Sequence, residues 1–283
     1  MNKPIAAPSR TGEILNQYGL RAKKGFGQNF LIDVSVVSRI AENAHCEGAV
    51  IEVGPGIGSL SEQLALCSRH VRSYEVDERL LPVLADTLSA YDNVEIILQD
   101  ILEADLAASV KELKEKYGTV SLCANLPYYI TTPVLFRLFE CPETIEWITV
   151  MVQKEVAERF AAGPGNKEYG ALSVEASLLY EVKKLFNVPR TCFSPAPNVD
   201  SAVIQFHRRE LIPAAQTSEF FAFVRGCFVQ RRKTLYNNLK SYFTENEDIA
   251  AILEEAGIDP GVRAQNMDAQ QFIALYEVWR KQK

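Results

Sequence analysis

A chain of 283 residues, 47% hydrophobic and 23% charged, has enough apolar material for one large domain, or a domain of about 200 residues beside a small one. No run of about 18 apolar residues occurs, so no membrane partner is expected, and the opening MNKPIAAPSR lacks the apolar stretch of a secretory signal. The net charge of −6 argues weakly against nucleic-acid binding by the surface as a whole.

The first strong signal is the apolar run 50–53, a buried strand that ends in a glycine-rich turn; residues 59–66 follow with helical spacing. Strand 71–76, helix 80–88, strand 94–98, strand 120–124, helix 133–139, strand 147–152 and helix 172–179 come next, and 182–188 and 202–207 read as two last strands. Alternating strands and helices predict an α/β fold with a mostly parallel, doubly wound sheet, and the two successive strands at its end predict an antiparallel edge hairpin. After about Arg209 only helical periodicity is left, at 220–229, 249–256 and 272–279, and residues 211–215 read as a linker. The expected division is a catalytic domain over 1–209 and a small all-helical C-terminal domain over 210–283. The six cysteines (Cys46, Cys67, Cys123, Cys141, Cys192 and Cys227) form no CxxC pair and no zinc-like cluster. They read as reduced, mostly buried thiols of a cytoplasmic protein, with no metal site.

Ile51-Glu52-Val53-Gly54-Pro55-Gly56-Ile57-Gly58 joins a strand to a helix. Glycines let the backbone turn sharply against a ligand, and the helix start offers free amide donors. The dinucleotide pattern GxGxxG needs glycine at position 59, which is Ser59, and Glu52 would repel a phosphate. Glu52 suits a cationic or amino-bearing ligand, and S-adenosylmethionine has both a sulfonium and an ammonium. Glu75 ends the next strand, where an acid can accept both ribose hydroxyls. Asp100 ends the third, where a carboxylate can accept from an adenine amino group. Gly54, Gly56, Gly58, Glu52, Glu75 and Asp100 are therefore the candidate cofactor residues.

Asn125-Leu126-Pro127-Tyr128 follows the fourth strand. An Asn side-chain oxygen and a backbone carbonyl can accept the two N–H bonds of an adenine N6, whose lone pair is otherwise delocalised into the ring. That favours a more tetrahedral nitrogen with its lone pair on the incoming methyl group. Proline stiffens the turn, and Tyr128 can stack on an extruded base. No ionising general base is needed before transfer, so positioning and electrostatics carry the catalysis.

With these motifs, and with Gly27-Gln28-Asn29-Phe30-Leu31, Val152-Gln153-Lys154-Glu155-Val156-Ala157, the stretch from Phe193 to Val203 and Arg231-Arg232-Lys233-Thr234-Leu235, the sequence resembles the ribosomal RNA adenine dimethyltransferase family over nearly its whole length. The match is to the bacterial members that act on small-subunit RNA. The resemblance implies a Rossmann-like class I methyltransferase fold. It implies that Gln28, Asn29 and Leu31 form an N-terminal lid over S-adenosylmethionine, and that Gly54, Glu75, Asp100 and Asn125 bind that cofactor. It also implies that Asn125, Leu126 and Tyr128 hold the target adenine and that Phe193 closes its other face. The implied product is N6,N6-dimethyladenosine at two adjacent adenosines near the 3′ end of 16S RNA, made within a 30S assembly intermediate.

The cations Lys23, Lys24, Arg208, Arg209, Arg225, Arg231, Arg232 and Lys233 fall in two short stretches, while much of the acid lies between Glu75 and Glu115. They are expected to converge as a local basic footprint at the active-site mouth. Neighbours on a helix point about 100° apart, so one or two of Arg231, Arg232 and Lys233 are expected to meet phosphate and the others to be structural or solvated. Three rivals stand beside this reading. The macrolide-resistance branch, which modifies large-subunit RNA, shares the cofactor and NLPY motifs but fits the Arg231–Leu235 block and the acidic balance less well. A non-catalytic assembly factor is disfavoured by the intact Asn125 motif, and a nicotinamide dehydrogenase by Ser59 and Glu52.

Overall fold

The computed structural model describes residues 3–20, 29–139, 141, 145–209, 217–243 and 248–282. In chain order the elements are α1 (Pro8–Gln17), β1 (Phe30–Leu31), α2 (Val34–Glu42), β2 (Ala49–Val53), α3 (Ser59–Cys67), β3 (His70–Glu75), α4 (Leu81–Thr87), β4 (Val94–Leu98), α5 (Leu106–Tyr117), β5 (Val120–Asn125), α6 (Thr131–Phe139), β6 (Trp147–Gln153), α7 (Lys154–Phe160), α8 (Ala171–Leu179), β7 (Tyr180–Val188), β8 (Phe193–Ser194), β9 (Ser201–Arg208), α9 (Thr217–Cys227), α10 (Leu235–Leu239), α11 (Ile249–Glu255) and α12 (Ala269–Gln282). They group into two compact units, Met1–Ala157 with Lys183–Arg208, and Glu158–Val182 with Arg209–Lys283.

The first unit is built on a seven-stranded sheet in the order β4-β3-β2-β5-β6-β9-β7. The pairs β4/β3, β3/β2, β2/β5 and β5/β6 are parallel, which gives the doubly wound order expected of the apolar runs. β9 runs antiparallel to β6, from Trp147↔His207 to Gln153↔Ser201, and β7 lies beyond it at the edge. All five residues of β2 are buried, as a central parallel strand covered on both faces requires. On one face Val50, Val71, Cys123, Met151 and Val203 pack with Val37, Ile40 and Ala41 of α2 and Leu60 and Leu64 of α3. α5 packs on β2 and β5. Because Glu52 is two residues after Val50 in β2, its side chain lies on the face that α3 covers.

α2 and α3 pack side by side and bring their C-terminal ends together, where Cys46 and Cys67 form a disulfide across a Cα–Cα distance of 6.2 Å. This corrects the expectation of six reduced thiols; the pairing follows from helix packing, which sequence spacing did not reveal. Cys123, Cys141, Cys192 and Cys227 are free, and all but the half-buried Cys192 are buried.

Apart from connecting loops and the first three residues of β7, the described residues of the second unit are helical and surround an aromatic core. Phe223 is in ring contact with Tyr242, Phe243, Tyr276 and Trp279. At Gly226 a Cβ would lie 2.5 Å from the Tyr242 ring, so only glycine lets α9 approach that ring. The expected boundary at 209/210 needs correction in one segment. Residues 158–182 belong to the helical unit, because α8 buries Val174, Ala176, Leu178 and Leu179 and packs on α9 and α12. The expected linker at 211–215 lies outside the described residues.

Gly58 caps α3 at φ +93°, and a Cβ there would stand 3.1 Å from Leu88 Cδ2 and 3.2 Å from Thr87 Oγ1. Both the left-handed backbone and the crowding oppose any side chain. Gly58→Ala is therefore expected to cost about 1–2 kcal/mol of stability from the backbone alone, read as a lowered urea midpoint. An unchanged midpoint would show that the turn relaxes freely.

Candidate active site

The carboxyl ends of β2, β3, β4 and β5 open onto one cavity at the point where the strand order reverses. This is where ligands of open α/β sheets bind. Much of the cavity wall comes from these four strand ends and the turns that follow them. The Gly54–Gly58 turn leaves β2, with the Gly54 N–H donating to Tyr74 O at 2.9 Å and the Gly58 N–H to Pro55 O at 3.0 Å. At Gly56, φ +62°, a Cβ would sit 3.7 Å from the Phe30 ring, so the turn and the N-terminal segment close on each other.

Glu75 closes β3. Its Oε1 accepts the Val76 and Asp77 N–H groups, both at 2.8 Å. Burial pushes the Glu75 carboxyl up, against the backbone donors of Asp77, Val76 and Gly56. Asp100, just after β4, is half-buried, and its Oδ1 accepts the Leu102 N–H at 2.9 Å. In each acid the backbone fixes one carboxylate oxygen and thereby aims the other.

Glu52 is 1% exposed in the cavity wall, and its Oε2 accepts from Ser61 Oγ at 2.7 Å and Ser73 Oγ at 2.6 Å. Burial pushes this carboxyl up to about 7, although the hydroxyl donors pull the other way. Ser59 Oγ, at the start of α3, is buried with no hydrogen-bond partner among the described residues.

Asn125 ends β5, half-buried in the cavity wall. The Leu126 N–H donates to Met151 O at 3.2 Å, so the β5–β6 pairing carries through into the turn. Pro127 O accepts the Ile130 N–H at 3.1 Å and Thr131 Oγ1 at 3.3 Å, closing a tight turn with Tyr128 and Tyr129 at its centre. The Tyr128 hydroxyl is 2.7 Å from Ser201 Oγ on β9. Phe193 lines the same cavity from β8 and is held by antiparallel pairing to β1, Leu31↔Phe193 and Phe30↔Ser194. Ile32 N–H donates to Cys192 O at 2.8 Å and extends that ribbon.

Asn29, Leu31, Glu52, Gly54, Gly56, Glu75, Asp100, Asn125, Leu126, Pro127, Tyr128 and Phe193 thus line one cavity. Gly58 shapes the turn from behind, and Gln28, Lys23 and Lys24 lie outside the described residues. Sequence reasoning missed Val76, Ile101 and Tyr129, which also line the cavity. The signal was present for the first two, as apolar residues directly after the strand-end acids Glu75 and Asp100. Tyr129, 55% exposed at the rim, had none.

Among the described residues no group of His, Cys, Asp and Glu is placed to hold a metal ion, and no helix is long and apolar enough to cross a membrane.

The model of the ribosomal RNA adenine dimethylase family matches residues 19–281. The chain belongs to that family. Ribosomal RNA adenine dimethylases of this kind are methyltransferases that use S-adenosylmethionine and act on ribosomal RNA. Among the relatives, ribosomal RNA small subunit methyltransferase A of Staphylococcus epidermidis is 47% identical over 287 residues, 99% of this chain and 97% of that protein. The protein of the same name from Geobacillus thermodenitrificans is 48% identical over 283 residues, 97% of each. Of solved structures, the 23S rRNA methyltransferase ErmE superposes with TM-score 0.68 at 30% identity, covering 88% of this chain and 99% of its own. A dimethyladenosine transferase from Plasmodium falciparum gives 0.74 at 24% identity, with coverages of 89% and 98%, and speaks for the fold.

Several of the cations expected in a basic footprint have internal partners in this dimethylase. Arg225 donates to Glu175 through Nε at 2.8 Å and Nη2 at 3.3 Å, and Glu175 is fully buried. Arg209 donates to Ser177 O through Nε and Nη2 at 3.1 and 2.9 Å. Arg231 donates to Gln265 Oε1 at 3.3 Å and to the Lys167 carbonyl. These guanidiniums knit the helical unit, while Arg232 and Lys233 are exposed. Arg225→Ala leaves a buried carboxylate without this bidentate partner and is expected to cost about 2–3 kcal/mol, read by urea unfolding. An unchanged midpoint with weakened RNA affinity would return Arg225 to the footprint.

Proposed function

We infer that this chain transfers methyl groups from S-adenosylmethionine to N6 of two adjacent adenosines near the 3′ end of small-subunit ribosomal RNA, on a 30S assembly intermediate in the cytoplasm. One observation carries the reading: the glycine turn and strand-end acids share a single cavity with the Asn125–Tyr128 turn and Phe193. The names and 44–48% identities of the small-subunit relatives support the choice of RNA over the large-subunit branch, represented by ErmE at 30%.

The donor set fits the cofactor. Glu75, with Oε1 tied to backbone N–H groups, has its other oxygen for a ribose diol, and Asp100, with Oδ1 tied likewise, has one for an adenine amino group. Gly54, Gly56 and Asn125 would flank the methionine end, with Asn29 and Leu31 as the lid; Gln28 is assigned there by family resemblance. When bound, the cofactor supplies an electrophilic methyl group on a sulfonium.

The protein's own contribution is positioning. Asn125 Oδ1 and the Leu126 carbonyl accept the two N6–H bonds. Pro127 and the Ile130→Pro127 hydrogen bond fix the direction of that carbonyl. Tyr128, braced by Ser201, and Phe193, braced by β1, clamp the two faces of the adenine. The N6 proton leaves to solvent after transfer, because no side chain here needs to remove it first. We assign 1–208, apart from 158–182, to catalysis and lid, and the helical unit to RNA recognition, with Arg232 and Lys233 as phosphate contacts and Arg231 holding their loop.

Incubation of the protein with labelled S-adenosylmethionine and unmethylated small subunits, then nuclease digestion and mass spectrometry, tests the reading. Two neighbouring dimethyladenosines are expected, and label confined to large-subunit RNA would overturn it. Glu75→Ala is expected to weaken S-adenosylmethionine binding by about 10- to 100-fold, the value of charged hydrogen bonds to the ribose; unchanged calorimetric affinity in a folded variant would remove Glu75 from the site. Asn125→Ala is expected to lower the single-turnover methylation rate by about 100-fold or more while cofactor affinity changes only modestly. A rate near wild type would refute positioning by Asn125.

A further inference from the structure

Glu52 is a buried acid for which the fold alone gives no use. It stands in the middle of a parallel sheet, flanked in register by Ser73 of β3 and Cys123 of β5 and covered by Ser61 of α3. The titratable groups that face it are Glu75 from β3, which opposes its ionisation, and the Cys123 thiol from β5, itself pushed well up by burial and by Glu52. Its hydrogen bonds come from hydroxyls, and among the described residues its surroundings supply no Lys, Arg or His partner. A carboxyl held near 7 keeps its proton where the unfolded chain, at 4.5, has released it. The folded state therefore binds the extra proton between those values, and stability falls as pH rises through that window. An uncharged amide there would remove that burden. The acid is instead suited to a positive charge that arrives with a ligand.

We propose that Glu52 is the group by which the site tells the charged methyl donor from its neutral product. The proposal rests on the reading that this cavity binds S-adenosylmethionine. Donor and product, S-adenosylhomocysteine, share the adenosine, the carboxylate and the amino group, and they differ in the sulfonium charge. A contact with the shared parts binds both alike. A carboxylate in the dry wall of the cavity attracts the sulfonium and gains nothing from the thioether, so the spent cofactor leaves more readily once the charge has gone with the methyl group. Ionised Glu52 favours the donor, and by linkage donor binding expels the Glu52 proton.

The test is calorimetric titration of the whole protein with each ligand from pH 6 to pH 8.5. The ratio of product Kd to donor Kd is expected to rise roughly 3- to 10-fold between pH 6 and pH 8 and then level, since a single proton can change it by at most about tenfold per pH unit. The ratio cancels most of the titration of the amino group that both ligands carry. In Glu52→Gln the ratio is expected to be flat with pH and lower than that of the wild type at pH 8. A flat wild-type ratio, or the same slope in Glu52→Gln, overturns the proposal. Should Glu52→Gln fail to fold, the wild type alone decides: titration at pH 7 in two buffers of different ionisation enthalpy is expected to show net proton release with the donor and close to none with the product. Equal release for both ligands overturns the proposal. Failure of the wild type to bind either ligand would instead bring down the cofactor reading itself.

Discussion

The pairing of β2 with β5 is the constraint on which the cavity depends. From β2 the chain winds outward through β3 to β4, then returns to lay β5 on the other side of β2. Crossovers on the two sides of this pair diverge, and a gap is left above its carboxyl ends. The polar groups of the strand ends stand at or next to that gap: Glu52 and the glycine turn on β2, Glu75 on β3, Asp100 after β4, Asn125 on β5. Their chemistry differs, but one topological fact brings them together, and the β5–β6 register continues it into Leu126 through the bond to Met151.

A second, much smaller sheet sets the other wall. Two residues of β1 and two of β8 form it, and they come from opposite ends of the first unit's sequence. β1 carries Leu31 and β8 carries Phe193, so the strand proposed to cover the cofactor and the strand proposed to cover the target base belong to one ribbon. Asp33 strengthens the joint: it caps α2 by accepting from Ser35 and Val36 and also receives the Cys192 thiol at 3.6 Å.

The fold was legible wherever an apolar period was long or ended in a glycine turn. All seven strands of the large sheet were anticipated within a residue or two; the central β2, β5 and β6 stood out because parallel strands buried on both faces read as near-continuous apolar runs. α2 and α5 were missed although Asp33 and Asp105 are ordinary caps before apolar-periodic stretches, a signal that was present and overlooked. β1 and β8 were invisible, since two residues carry no period. In the site, the strand-end acids and the NLPY turn could be read from residue chemistry, whereas Phe193 came only from family resemblance, its place being fixed by a pairing across more than 160 residues. The partners of Arg209, Arg225 and Arg231 were not legible. A run of cations looks alike whether it faces phosphate or a buried carboxylate such as Glu175, and Glu175 sits in α8, far away in sequence.

The membership of 158–182 in the helical unit gives the chain an interleaved architecture. The backbone enters that unit after Ala157, leaves it before Lys183 and enters it again after Arg208. A fragment cut at residue 209 would keep α8 without α9 and α12 and so expose Val174, Ala176, Leu178 and Leu179 as a bare apolar face. The complementary fragment would have lost one wall of its own core. Neither half is therefore a natural module: recombination or truncation at the apparent boundary yields two sticky pieces, and exchange of the helical unit between relatives requires three splices, one on each side of the α8 segment and one ahead of α9.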